Sequence, residues 1–178
     1  MAAAWPSRRS HNRQMNTRRY LMQLLGGNDP SYVRRSINLW PPLLGAGIRI
    51  KRIAPDMKAL DVEMKLRWWN ANYVGTHFGG SLYAMTDGFY MLMLIANLGR
   101  DYTVWDKAAS IRYRKPGKGT MRAEFRLTDA QLDEIRERLK TLPKYEALFN
   151  IEVKDDQGTV ICEVQKTIHV RKRDAAPN

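Results

Sequence analysis

From Gly47 onward the chain alternates apolar and polar side chains with period two, and one apolar block of helical length interrupts that alternation. Successive strand residues point to opposite faces, so such alternation predicts strands with one buried face. Ile48, Ile50 and Ile53 open a first strand. In the second, Leu60, Val62, Met64 and Leu66 face one way, and Asp61, Glu63, Lys65 and Arg67 the other. Ala109, Ile111 and Tyr113 mark a third, followed by a Pro116-Gly117 turn. Met121, Ala123, Phe125 and Leu127 mark a fourth. Phe149, Ile151 and Val153 form a fifth, and Asp156-Gln157-Gly158 reads as a hairpin turn into the last. That last strand carries Val160, Cys162, Val164, Ile168 and Val170, with Lys166 out of pattern.

The interrupting block, Gly80 to Leu98, reads GSLYAMTDGFYMLMLIANL. It is apolar nearly all round, so it predicts one helix, begun by Gly79-Gly80 and buried by a sheet wrapped about it. Ahead of the strands, Asn16 or Thr17 can cap a short helix through Leu25. Pro30 starts a second, with Tyr32, Val33, Ile37 and Trp40 at helical spacing, ended by Pro41-Pro42. Thr128 caps an amphipathic insert, TDAQLDEIRERLKTL. The expected class is α+β: a curved antiparallel sheet wrapped around a long central helix, with N-terminal helices and a helical insert. Three segments follow: a disordered basic tail over 1–15, a helical flank over 16–46 and the main domain over 47–173.

Composition narrows the partners. The chain has 178 residues, 44% of them hydrophobic, which suits one folded domain and excludes a disordered one. Cys162 is the only cysteine, and His11, His77 and His169 lie far apart, so neither a disulfide framework nor a metal site is expected. A reducing, cytoplasmic setting fits. The net charge is +12, much of it at the two ends. A second basic cluster, Arg112, Arg114, Lys115, Lys118 and Arg122, can meet a phosphorylated ligand. No zinc-finger, RNA-recognition or helix-turn-helix pattern occurs, so no specific nucleic-acid partner is expected. The apolar block holds an acid and glycines and lacks flanking anchors, which argues against membrane insertion. The first residues lack the apolar core of a secretory signal, and read as an extension ahead of a second start at Met15.

Asp87 is the one charged residue of the apolar block. Burying a carboxylate costs several kcal/mol unless it is paired or changes its pKa, so a lone acid there is a candidate catalytic group.

One further pattern carries a resemblance. Asn72, Gly75, His77, Phe78, Gly79 and Gly80, followed by Leu82 and Asp87, resemble the motif of the PaaI-like acyl-CoA thioesterases, and in particular the branch labelled DUF4442. That motif is approximately N-x-x-G-x-x-H-G-G, then an apolar stretch and an acid eight residues after the first glycine of the final pair. Asn72, the Gly79-Gly80 pair and Asp87 keep this spacing, and Ser110 to Tyr113 with Pro116 extend the likeness over residues 47–172. Phe78 stands where the family has histidine, and His77 comes one residue early.

The resemblance implies a hotdog fold and hydrolysis of acyl-CoA thioesters to free acid and coenzyme A, which is part of the substrate; no separate cofactor is implied. It implies that the Gly79 N–H stabilises the oxyanion, with Gly80 beside it. Asp87 acts as general base or nucleophile across a subunit interface, and Asn72 orients the water or the carbonyl. His77 and Phe78 would border the substrate. Arg112, Arg114, Lys115 and Lys118 suit the phosphates of coenzyme A. Met85, Tyr90, Met91, Met93, Trp68 and Trp69 would line an apolar acyl groove. Exposed edge strands favour a homodimer or a dimer of dimers. The alternative is an acyl-CoA binder without turnover, its histidine lost to Phe78. A hydroxyacyl dehydratase fails, because Met91 stands where its glutamate is required.

Overall fold

The computed structural model describes residues 29–173, so the expected basic tail and the helix ending at Leu25 lie outside the described residues. Eleven elements follow in order: α1 (Pro30–Asn38), α2 (Pro41–Ala46), β1 (Ile48–Ile53), β2 (Ala59–Lys65), α3 (Gly79–Ala84), α4 (Phe89–Leu98), β3 (Tyr102–Tyr113), β4 (Thr120–Arg126), α5 (Asp129–Thr141), β5 (Tyr145–Lys154) and β6 (Val160–Lys172). The strands form one sheet in the order β1-β2-β4-β5-β6-β3, antiparallel throughout. The alternation places Leu60, Val62, Met64, Met121, Ala123, Phe125, Ile151, Val153, Val164 and Ile168 on the buried face, against α4. This is the α+β arrangement the sequence predicts.

Three pairings slip at a bulge, one of them between Val153 and Lys154 of β5, where Ile161 is the extra residue of β6. The β1–β2 register slips between Ile50 and Arg52, so Lys51 is an extra residue and Ile53, rather than its predecessor, turns inward. In β3 the slip lies between Asp106 and Ala108, at Lys107. That bulge hides the first half of a strand that begins at Tyr102, seven residues before the sequence reading places it.

The two edges are treated differently. α1 covers β1, where the Asn38 side chain donates to Ile50 O at 3.1 Å and accepts from Ile50 N at 2.7 Å, closing a pair of groups a neighbouring strand would use. β3, at the opposite edge, is long and largely exposed. At the centre the β4–β5 pairing is short, joining only Arg122 to Lys154 and Ala123 to Val153. Tyr90 fills that opening. Its ring stacks on Phe149 with centroids 4.1 Å apart and meets Phe125 edge-on at 5.3 Å, and its hydroxyl donates to Arg126 O at 3.3 Å.

Two helix expectations are corrected. Pro41 and Pro42 do close α1, but they also open α2, since proline fits the first helical turn, where no N–H bond is needed. The central helix is not continuous. It stops at Ala84, and α4 restarts at Phe89 after Gly88 takes φ +78°, a backbone conformation glycine adopts without penalty.

Candidate functional site

Asp87 lies in this break, and the break decides its environment. Instead of facing the core from a helix side, its side chain is 54% exposed, which corrects the expectation of a buried acid. Its Oδ1 accepts from Lys166 Nζ; Oδ2 has no partner among the described residues. Lys166 is the inward-facing exception in β6 and is only 2% exposed. Its ammonium also lies 3.3 Å from Asp106 Oδ1 on the neighbouring strand, close enough for an ion pair though not aligned as a hydrogen bond, and 5.4 Å from the Tyr83 ring centroid. One buried cation therefore sits between two carboxylates. Burial pushes the Lys166 pKa down, but the hydrogen bond it donates to Asp87 and the charges of Asp106 and Asp87 outweigh it, so the ammonium lies above the ordinary lysine value. At Asp106 burial dominates and raises the carboxyl, against the pull of Lys166 and of the Gly88 amide.

The glycine pair is explained by close approach. A Cβ on Gly79 would lie 3.0 Å from the Tyr113 hydroxyl, which donates to Gly79 O at 2.9 Å. A Cβ on Gly80 would lie 2.4 Å from the Phe78 ring, folded over it. Tyr113 thus ties the end of β3 to the start of α3. The amides of Gly79 and Gly80 have no acceptor among the described residues, because the first bonds of α3 come from Ser81 and Leu82 to Phe78 O.

The remaining predicted residues divide. Asn72 spends its side chain inside the 72–77 loop: Nδ2 donates to Thr76 Oγ1 at 2.8 Å, and Oδ1 accepts from Val74 N and Thr76 N at 3.1 and 3.0 Å. It shapes the segment that leads to Gly79. His77 is buried, with Nε2 3.1 Å from Gly119 O and Nδ1 unpartnered, and burial pushes its pKa below the ordinary 6.5. It braces the 117–119 turn, its backbone N–H donating to Gly117 O at 2.9 Å as well. Phe78 is exposed beside Gly80. Arg112, Arg114, Lys115 and Lys118 are exposed around the end of β3, on the same turn that Tyr113 anchors to Gly79; Arg114 is paired with Glu163 at 2.7 Å. Met85, in the helix break, and Tyr90 and Met93 on α4 are buried in the core. Trp68 and Trp69 are exposed, forming an edge-to-face pair with centroids 5.6 Å apart.

Sequence reasoning left Asp106 and Lys166 out of the site. The signal for Lys166 was its inward register in β6; the bulge at Lys107 masked that of Asp106.

Residues 32–170 match the profile of a family described as a domain of unknown function, DUF4442. None of the curated proteins matches the chain significantly. Among solved structures, a protein of unknown function from Pseudomonas aeruginosa, called a probable thioesterase, is similar at TM-score 0.71 and 20% identity, covering 83% of this chain and 100% of its own. A protein of unknown function from Chlorobaculum tepidum follows at 0.66 and 15%, covering 83% and 99%. A thioesterase from Haemophilus influenzae gives 0.59 and 12%, covering 81% and 91%. At these identities the likeness establishes a shared hotdog fold.

Proposed function

The chain belongs to the DUF4442 family, and from that premise we propose that it hydrolyses acyl-CoA thioesters to a free acid and coenzyme A. The observation that carries the reading is Asp87: a half-exposed carboxylate in a helix break, held at Oδ1 by a buried lysine and open at Oδ2. The probable thioesterase from Pseudomonas aeruginosa and the thioesterase from Haemophilus influenzae, similar in fold, support the same chemistry.

In this reading the Asp87 carboxylate removes a proton from water as its oxygen bonds to the thioester carbonyl carbon. The carbonyl oxygen becomes an oxyanion, which the free Gly79 N–H stabilises, with Gly80 beside it. The C–S bond then breaks, and the proton on Asp87 passes to the departing thiolate. Lys166 orients Asp87, and Asn72 positions Gly79 through the loop it closes. Arg112, Lys115 and Lys118 take the phosphates of coenzyme A, with Arg114 free to join them by exchanging Glu163. A second subunit adds its β3 beside this one, making the homodimer in which Asp87 of one subunit meets Gly79 of its partner.

Free-thiol release from a panel of acyl-CoAs tests the proposal. Wild type turns over at least one of them, and Asp87→Asn keeps the fold and loses that activity. An unchanged rate in the variant removes Asp87 from the mechanism. One observation favours a second reading: Asp87 is ion-paired with Lys166, as a structural acid would be. Acyl-CoA binding without turnover in wild type would establish that reading, a ligand-binding protein on the same fold.

A further inference from the structure

We propose that the outer face of β1 and β2, together with the tryptophan pair beside it, docks onto an anionic phospholipid surface. Arg49 and Lys51 on β1, and Lys65 and Arg67 on and just after β2, line a cavity of about 230 Å³ on the solvent side of the sheet. Trp69 forms part of its wall. Glu63 is the one acid there, and it is already shared between Lys65 at 4.0 Å and Arg122 at 3.9 Å. Arg49, Lys51 and Arg67 have no ion-pair partner among the described residues. Four cations facing one acid is an arrangement short of negative charge.

Charge alone would suit any anion. The aromatic residues select the partner. Trp68 is 87% exposed and packs edge-on against Trp69, so its indole adds nothing to the core. Leu39 and Trp40, between α1 and α2, and Leu44 on α2 are exposed as well. α2 ends beside the cavity, because the Asn70 side chain donates to Ala46 O and Gly47, which lines the cavity, lies next to the Trp69 ring. A basic cavity rimmed by unshielded indoles matches the headgroup layer, where phosphates meet the cations and indole rings favour the boundary with the acyl chains. Among the described residues no helix is long and apolar enough to cross a membrane, so the contact is superficial. The face also remains available in a dimer paired through β3, since β1 and β3 are opposite edges of the sheet.

The test is co-sedimentation of the full chain with phosphatidylcholine vesicles, with and without phosphatidylglycerol, at low and high salt. The expected result is binding to the anionic vesicles that weakens as salt screens the charges. Each basic residue near such a surface strengthens binding roughly fivefold, so Arg49→Gln with Lys51→Gln lowers affinity by about twenty-fivefold. Trp68→Ala lowers it several-fold, and neither change shifts the thermal unfolding midpoint, because these side chains are exposed. Equal binding to neutral vesicles, or wild-type affinity in the double variant, overturns the proposal. Adenosine 3′,5′-bisphosphate is the soluble-phosphate arm: its saturation of the Arg49–Lys51 site in the absence of vesicle binding overturns it as well. None of these readouts depends on thioester turnover.

Discussion

Lys166 illustrates at the residue scale how an exception in one element is answered by an exception in another. Asp87 breaks an apolar block and Lys166 an apolar strand, and the fold brings the two together with Asp106. Removing the cation would leave the shielded Oδ1 of the partly buried Asp106 without a counter-charge, so Lys166→Met destabilises by about 3 kcal/mol near neutral pH. The loss shrinks at about pH 5, because the Asp106 carboxyl, already raised by burial, binds a proton more readily in the folded variant than unfolded. Denaturant titrations of wild type and variant at both pH values measure this. A second residue-scale expectation concerns His77. Its folded pKa lies below the ordinary 6.5, so the unfolded chain takes up the proton first, and stability falls as pH drops through and below 6.5. His77→Gln keeps a donor for Gly119 O without a titrating ring, and flattens that slope in the same titrations.

At the element scale, interrupted patterns decide more than regular ones. Regular alternation made β2 and β4 legible residue by residue, since each buries every second side chain. The bulges at Lys51 and Lys107 each add one residue, and a one-residue slip reverses every face beyond it. The Asp87-Gly88 pair was a turn signal inside the apolar block, obscured by hydrophobic residues on both sides. Tyr90 shows the cost of a short pairing: its hydroxyl serves Arg126 O where β5 supplies no bond. Tyr90→Phe leaves that carbonyl unsatisfied and lowers stability by about 1–2 kcal/mol, read as a shift in denaturation midpoint with an unchanged slope.

At the scale of the whole molecule, the contrast between sheet edges bears on assembly. α1 guards β1 through Asn38, whereas the middle of β3 presents Ala108, Ala109 and Ser110 without a covering element. A two-fold axis crossing that segment would bring the same residue of both chains together. In the proposed dimer, Ala109→Asp then sets two like charges against each other and separates the subunits, seen as a halved mass in sedimentation equilibrium. A monomeric wild type would remove both the dimer and the intersubunit placement of Asp87 and Gly79.

The sequence by itself determined the α+β class, the capped insert opened by Thr128, and the helix start at Gly79-Gly80, because these depend on local periodicity and on residue types with few conformational alternatives. Tertiary structure alone decided that His77 braces a turn and that Asn72 is consumed by its own loop. It also decided that Asp87 stands half in solvent against Lys166. Each of these outcomes depends on which distant backbone or side chain arrives within a few ångströms, and a linear pattern carries no such distance.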